Sequence, residues 1–130
     1  MKENDPIPTL APTWGADVFP LLSWFRQERL KQANVMVVGC GALGNEVLKN
    51  LALFGVEHLF VVDFDTIEPS NLTRSILFSR ADAETRPHKA TVAAERLRDI
   101  NPAIHVLPLV GDICHDMGLG LLRRMDVVVG

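Results

Sequence analysis

The fold is decided by one stretch, Val35-Met-Val-Val-Gly-Cys-Gly-Ala-Leu-Gly44. It begins with four consecutive apolar residues, as a strand buried on both faces of a parallel sheet requires. It ends in a Gly-x-Gly-x-x-Gly turn, where Gly39 permits the tight turn, Gly41 allows a phosphate to approach the backbone, and Gly44 lets the next helix pack on the strand. The stretch therefore predicts a strand, a phosphate-binding turn and a helix.

The residues after this turn complete a strand–helix–strand unit. From Leu43 to Phe54 the apolar residues recur at helical spacing, and Gly55 is a natural helix end. A second apolar run, Leu59–Val62, predicts a strand parallel to the first. The N–H groups at the start of the helix would face an anion held by the turn. The unit predicts a Rossmann-like α/β fold, with a mostly parallel sheet and flanking helices.

The remaining elements follow from the same patterns. The proline-rich residues 1–16 are interpreted as an N-terminal arm, and residues 17–130 as the nucleotide-binding domain. Its other predicted elements are a helix over 17–33, a long polar loop over 63–89 attached through Ile76–Phe78, a helix over 90–100, a strand over 104–109, a weaker helix near Leu119–Leu122 and a strand over 126–129.

The chain stops directly after the fourth predicted strand, at Gly130. In an open α/β sheet, ligands bind beyond the carboxyl ends of the strands. We therefore expect a domain truncated after that strand, with its C-terminal part missing.

Composition narrows the class of protein. The 130 residues are 48% hydrophobic with a net charge of −3, which fits one globular domain without the basic patch of a nucleic-acid-binding protein. No apolar run is long enough for a membrane span, and the start lacks the plan of a signal peptide, so we expect a cytoplasmic protein. The two cysteines, Cys40 and Cys114, suit neither a disulfide framework nor a CxxC metal site.

The choice of nucleotide depends on the loop after the second strand. Asp63 closes that strand, where an acidic side chain can accept both hydroxyls of a ribose, and this serves NAD and ATP equally. The loop then supplies an acid, an amide and two cations, Asp65, Asn71, Arg74 and Lys89. A dinucleotide is already held at its pyrophosphate by the glycine turn, whereas a triphosphate undergoing nucleotidyl transfer needs further positive charge. Each residue alone could be a surface charge, but the set favours ATP.

In order and spacing, several motifs resemble the ThiF/MoeB/HesA family, which includes the ubiquitin-activating-type enzymes. The resemblance runs from about Leu30 to Gly130. The motifs are Val37-Val-Gly-Cys-Gly-Ala-Leu-Gly-Asn-Glu46, Lys49-Asn-Leu-Ala-Leu-Phe-Gly55, Val62-Asp-Phe-Asp-Thr-Ile-Glu-Pro-Ser-Asn-Leu-Thr-Arg74, Leu77-Phe78, Pro87-His-Lys-Ala90 and Asn101-Pro102.

The resemblance implies ATP-dependent adenylation of the C-terminal carboxylate of a ubiquitin-like or sulfur-carrier protein that ends in Gly-Gly. Asp63 would hold the ribose, and Asp65 would lie beside the triphosphate. The phosphates would be contacted by Asn71 and by the two catalytic residues, Arg74 and Lys89. The turn residues Gly39, Gly41, Ala42 and Gly44 complete the implied nucleotide site.

The resemblance also implies Mg²⁺ and a second subunit. The family's metal ligand would lie beyond Gly130, so this chain alone is expected to show little turnover. A homodimer or heterodimer is implied, with Arg26 a candidate for the arginine that a partner subunit inserts into the ATP site. Ser75 stands where many relatives have Gln, and Ala42 where Gly is common.

Three other interpretations remain open from the sequence. They are an NAD-dependent oxidoreductase, a relative that acts on a tRNA base or a peptide, and a non-catalytic subunit that keeps the fold. The presence of Arg74 and Lys89 argues against the last.

Overall fold

The computed structural model describes residues 26–130 and shows one sheet of four parallel strands. The strands are β1 (Asn34–Val38), β2 (His58–Val62), β3 (His105–Leu109) and β4 (Val127–Val129). Their order in the sheet is β3-β2-β1-β4, and every neighbouring pair is parallel. This confirms the predicted Rossmann-like architecture.

Five α-helices flank the sheet in the described part of the chain. They are α1 (Gln27–Gln32), α2 (Ala42–Phe54), α3 (Arg80–Thr85), α4 (Lys89–Ile100) and α5 (Leu119–Leu122). Residues of α2 and α4 pack into one apolar core with β1 and β2. The α2 helix ends at Gly55, which has φ +88 in the left-handed region that favours glycine.

The continuous apolar run in β1 is explained by its position. It lies between β2 and β4, with Val35 opposite Leu59 and Val127. Residues Val35–Val37 are buried, because helices cover the sheet and neighbouring strands cover both edges of β1. Every side chain of this segment therefore has to be apolar, and the alternation typical of an exposed strand is absent.

The prediction of one long loop over residues 63–89 is wrong in part, because two short helices interrupt that segment. One is a 3-10 helix, Pro69–Thr73, and the other is α3. At the start of α3, the N–H of Ser79 donates to Asp82 Oδ2 at 2.7 Å, and Ser79 Oγ accepts the N–H of Asp82 at 3.3 Å. This capping box is visible in the sequence as Ser-x-x-Asp. The helix itself buries only Ala83 and so has no apolar stripe to predict it.

The N-terminal predictions lie mostly outside the described residues. That holds for the arm over 1–16 and for residues 17–25 of the predicted helix. The prediction of one helix over 17–33 is wrong in part, because α1 begins only at Gln27 and Arg26 before it has an extended backbone conformation. Leu30 packs against the core, and Gln27 Nε2 donates to the carbonyl of Phe54 at 2.8 Å. Over residues 26–130, no helix is long and apolar enough to cross a membrane.

The two cysteines are both free and lie in opposite environments. Cys40, within the glycine turn, is fully buried, and Cys114 is exposed. Burial raises the pKa of the Cys40 thiol from its ordinary value of 9.0 to about 12; the charge of Asp63 adds to this effect and that of Lys89 opposes it. The Cys40 thiol is therefore protonated at neutral pH.

We predict that a thiol reagent labels Cys114 in the native chain and reaches Cys40 only on unfolding.

A second prediction concerns stability at high pH. Because the folded pKa of Cys40 lies above the unfolded one, the contribution of Cys40 to stability is complete below pH 9 and is lost as the pH rises toward 12. As this contribution is lost, the unfolding free energy falls more steeply with rising pH, by up to about 1.4 kcal/mol per pH unit. Urea unfolding of Cys114→Ser with and without Cys40→Ala measures this slope, and equal slopes would contradict the assignment.

Candidate functional site

The glycine turn connects β1 to α2. Each of its three positions is glycine for a different physical reason. Gly39 has φ +96, a conformation that strains other residues, and its N–H donates to the carbonyl of Val62 at 2.7 Å. A Cβ on Gly44 would lie 1.9 Å from the carbonyl oxygen of Gly39, so the helix can pack this closely only with glycine there. The predicted roles of these two residues in the turn and in helix packing are confirmed.

Within residues 26–130, nothing requires glycine at position 41. Its φ is −73, and a Cβ placed there would meet no atom within 4 Å. The space beside Gly41 is therefore open to a ligand that approaches the backbone. Gly41 is also the N-cap of α2 and provides no side-chain cap, so the first N–H groups of the helix remain available to an anion. Ala42, the first helical residue, has no positive φ that would call for glycine.

Asp63 is buried at the end of β2 and holds the turn in place. Its Oδ2 accepts the N–H of Cys40 at 2.6 Å, and its Oδ1 accepts the N–H of Asp65 at 2.7 Å. Each carboxylate oxygen keeps a further lone pair for a ribose hydroxyl. Sequence reasoning identified the acid at this position but missed that it joins β2 to the glycine turn.

Lys89 and Asp65 form an ion pair, with 2.9 Å between Nζ and Oδ2. The lysine side chain is only 10% exposed, whereas that of Asp65 is 51% exposed. The backbone brings them together, because the N–H of Lys89 donates to the carbonyl of Asp65 and that of Ile67 donates to the carbonyl of Pro87, both at 2.9 Å. The start of the long loop is thereby joined to its end, and the first residue of α4 is a fixed cation.

These groups line two adjoining clefts at the carboxyl ends of the strands. The first, about 330 Å³, is lined by Asp63, Asp65, Lys89 and residues 111–113. The second, about 270 Å³, lies between residues 41–44 and the end of β4 at Val129. Gly39 and Gly41 line both clefts, so the glycine turn is their common wall. The second cleft lies where the strand order reverses between β1 and β4, the position at which open α/β sheets bind ligands.

Two of the predicted site residues lie outside these cleft linings. Asn71 is buried, and its Oδ1 accepts the N–H of Glu68 at 2.9 Å, which caps the 3-10 helix. Its Nδ2 has no hydrogen-bond partner among residues 26–130. Arg74 is exposed, and its Nη1 donates to the carbonyl of Ser70 at 3.0 Å. The structure therefore groups the glycine turn, Asp63, Asp65 and Lys89, while Asn71 and Arg74 stand apart.

Sequence reasoning missed the wall formed by the loop after β3. Gly111, Asp112 and Ile113 line the first cleft, and the N–H of Asp63 donates to the carbonyl of Leu109 at the end of β3. The N–H of Cys114 donates to Asp112 and lowers the pKa of its carboxyl, so this residue is charged at neutral pH. The position of this loop, beyond the carboxyl end of the third strand, was the signal that could have identified it.

A metal centre is not assembled by the part of the chain that the structure describes. Over residues 26–130 there is no group of three or more His, Cys, Asp or Glu side chains that could hold a metal ion. Asp65, which lines the first cleft, has its carboxylate paired with Lys89. Arg26, the candidate for insertion into a partner's site, is exposed at the start of α1.

Several proteins of known function or structure are similar to this chain. The sulfur carrier protein adenylyltransferase of Thermus thermophilus is 42% identical over 103 residues, which are 79% of this chain and 37% of that protein. The adenylyltransferase and sulfurtransferase MOCS3 of Bos taurus is 41% identical over 111 residues, 85% of this chain and 24% of that protein. The chain thus spans between a quarter and somewhat over a third of these relatives.

The structural comparison agrees with the sequence comparison. The crystal structure of E. coli MccB with AMPCPP and selenomethionine MccA matches with a TM-score of 0.70 and 34% identity, over 79% of this chain and 30% of that one. The family model described as the ThiF family matches residues 11–130. Fold, motifs and both comparisons lead to one conclusion: the chain belongs to the ThiF family.

Proposed function

We propose that this chain is the nucleotide-binding part of an adenylyltransferase, which uses ATP to activate the C-terminal carboxylate of a ubiquitin-like or sulfur-carrier protein. One observation carries the proposal: an open glycine turn with free N–H groups, a buried acid and a fixed lysine ammonium face adjoining clefts. Relatives named as adenylyltransferases support it, as do MccB structures with ATP and with AMPCPP.

The proposed binding mode divides the nucleotide between the two clefts. Asp63 receives the ribose hydroxyls at the end of β2. The phosphates then lie along the glycine turn, where the N–H groups at the start of α2 and the dipole of a 13-residue helix favour negative charge. Lys89 lines the first cleft beside the shared glycine turn, and we propose that its ammonium reaches the phosphates at that turn. The charged Asp112 lines the first cleft and would repel phosphates there. We therefore propose that the first cleft holds the base and the second cleft holds the phosphates.

The proposed reaction forms one bond and breaks one. A carboxylate oxygen of the carrier attacks the α-phosphorus, the bond from that phosphorus to the α,β-bridging oxygen breaks, and acyl adenylate and pyrophosphate result. Negative charge grows on the leaving pyrophosphate, and the cations Lys89 and Arg74 are proposed to stabilise it. Asn71 Nδ2, which lacks a partner in the described residues, would donate to a phosphate oxygen. A bound Mg²⁺ would supply further charge neutralisation, and we propose its main ligand beyond Gly130.

The same chemistry admits a second substrate class. The MccB structures that match this chain include one that contains both MccA and AMPCPP. A peptide carboxylate is therefore the alternative to the terminus of a carrier protein. We further propose a cytoplasmic protein and a homodimer or heterodimer, in which Arg26 reaches the ATP site of the partner.

The first prediction from this proposal is nucleotide preference. ATP at about one hundred times its Kd should stabilise the chain by about 2.7 kcal/mol, and NADH at the same concentration should not. Thermal unfolding with each nucleotide measures this difference. Selective stabilisation by NADH would contradict the proposal and favour an oxidoreductase.

Adenylation itself is measured as carrier-dependent exchange of pyrophosphate into ATP by this chain joined to the sequence that follows Gly130. ATP binding without any exchange would contradict the proposed adenylation.

A matched pair of glycine substitutions separates binding from folding. Gly41→Ala places a methyl group in open space and should lower the unfolding free energy by less than about 1 kcal/mol, the cost of alanine as an N-cap, while it weakens ATP binding at least tenfold. Gly44→Ala should cost about 1–3 kcal/mol or prevent folding, because its Cβ overlaps the Gly39 carbonyl. Urea unfolding and calorimetric titration measure both. Unchanged ATP affinity in Gly41→Ala would exclude close approach of a phosphate.

The lysine prediction uses a lysine outside both clefts as its control. Lys89→Ala should raise the Kd for ATP about 10- to 100-fold, since a hydrogen bond to a charged group contributes about 1.5–3 kcal/mol. Lys49, which pairs with Glu46 on α2, is a matched control because it lies outside both clefts. Lys49→Ala should leave the Kd unchanged. Equal losses in the two variants would mean that net charge, and not a contact from Lys89, controls affinity.

A further inference from the structure

Asn45 is a fully buried polar residue in the first turn of α2 that the proposed mechanism leaves unused. Its Nδ2 donates to the carbonyl of Cys40 at 2.7 Å and to that of Gly41 at 3.1 Å. Its Oδ1 accepts the N–H of Leu77 at 2.9 Å. The amide nitrogen and the carbonyl oxygen of this side chain are therefore both engaged, and every partner is a backbone group: two in the glycine turn and one at Leu77.

The two carbonyl contacts determine where the N–H groups of the turn point. In a planar trans peptide, the C=O and the following N–H point in opposite directions. A Cys40 carbonyl held by Asn45 therefore directs the N–H of Gly41 away from Asn45, and the Gly41 carbonyl does the same for the N–H of Ala42. Gly41 and Ala42 line the second cleft. Within residues 26–130, the N–H of Gly41 has no hydrogen-bond partner.

The contact with Cys40 is the one that depends on the side chain. The Gly41 carbonyl already accepts the N–H of Asn45, at 2.9 Å, as the first bond of α2. In the described part of the chain, the Cys40 carbonyl has only the Asn45 amide as its donor. Without it, the peptide between Cys40 and Gly41 would be free to rotate, and the N–H of Gly41 would lose its fixed direction.

The third contact reaches the loop that carries Arg74. Leu77 and its neighbour Phe78 are buried in the core, and Ser75 is buried between them and Arg74. The bond from the Leu77 N–H to Asn45 therefore fixes this segment against the start of α2. A single side chain thus joins the glycine turn to the segment that follows Arg74.

We infer that Asn45 is a positioning residue for the triphosphate: it directs the N–H of Gly41 into the phosphate cleft and couples the turn to the Arg74 loop. This inference rests on the proposed function, because the phosphates it serves are those of the proposed ATP. A purely structural role would stabilise the fold without any effect specific to phosphate binding, and the two roles are separable by experiment.

The chain offers a matched control in Asn101. This asparagine is also buried, its Nδ2 donates to the carbonyl of Ala52 at 3.2 Å, and its Oδ1 accepts the N–H of Ala103 at 3.1 Å. It contacts the C-terminal part of α2, whereas Asn45 contacts the start. Asn45→Ala and Asn101→Ala therefore remove the same chemistry from the two ends of one helix.

The test compares three probes by calorimetric titration: ATP, inorganic tripolyphosphate and adenosine. In Asn45→Ala we expect the Kd for ATP and tripolyphosphate to rise at least tenfold and the Kd for adenosine to stay the same. In Asn101→Ala we expect all three to match the unsubstituted chain. Folded Asn45→Ala that binds tripolyphosphate normally would overturn the inference, as would an equal loss for all three probes.

A measurement on the unsubstituted chain covers the case in which Asn45→Ala does not fold. In proton–nitrogen NMR spectra, tripolyphosphate should shift the amide signals of Gly41 and Ala42 and leave that of Cys40, which is bound to Asp63, nearly in place. Absence of binding, or shifts that spare Gly41, would overturn the inference. Phosphate binding at Gly41 without pyrophosphate exchange would instead contradict only the proposed adenylation.

Discussion

The candidate site depends on the hydrogen bond from the Cys40 N–H to the Asp63 carboxylate, 2.6 Å long and buried. A buried carboxylate is costly unless it accepts hydrogen bonds, and this one accepts the N–H of Cys40 and that of Asp65. The turn after β1, the end of β2 and the first residues of the long loop are thereby joined at one point. An acid proposed to hold a ribose is at the same time the group that assembles the edge of the sheet where the ribose would bind.

Several residues at this edge combine a structural contact with a proposed ligand contact. Asp65 holds Lys89 through both its carboxylate and its backbone carbonyl, and Asn71 caps the 3-10 helix through Oδ1 while its amide nitrogen lacks a partner in the described residues. Such pairing fixes charged groups before a ligand arrives and so reduces the side-chain entropy lost on binding. The polar groups of the proposed site are thus positioned by contacts within the protein.

The three glycines of the turn also differ in what requires them. Gly39 is required by its positive φ, and Gly44 by the approach of α2 to the turn. Gly41 is required by neither, because its φ is ordinary and the space around its Cα is open. Gly41 borders a cleft, and we propose that its glycine serves the approach of a ligand; Asn45 fixes the backbone of the same position from the opposite side.

The sequence by itself determined the parallel sheet, the helix after the glycine turn and the acid at the end of β2, because apolar periodicity and glycine conformation are local properties. Only the tertiary structure decided which polar residues meet. It paired Lys89 with Asp65, brought Asn45 to Leu77, and left Arg74 against Ser70 outside the cleft linings. It also revealed the 3-10 helix and α3, which bury too few residues to leave an apolar pattern. These contacts join residues far apart in the chain, and no local pattern encodes them.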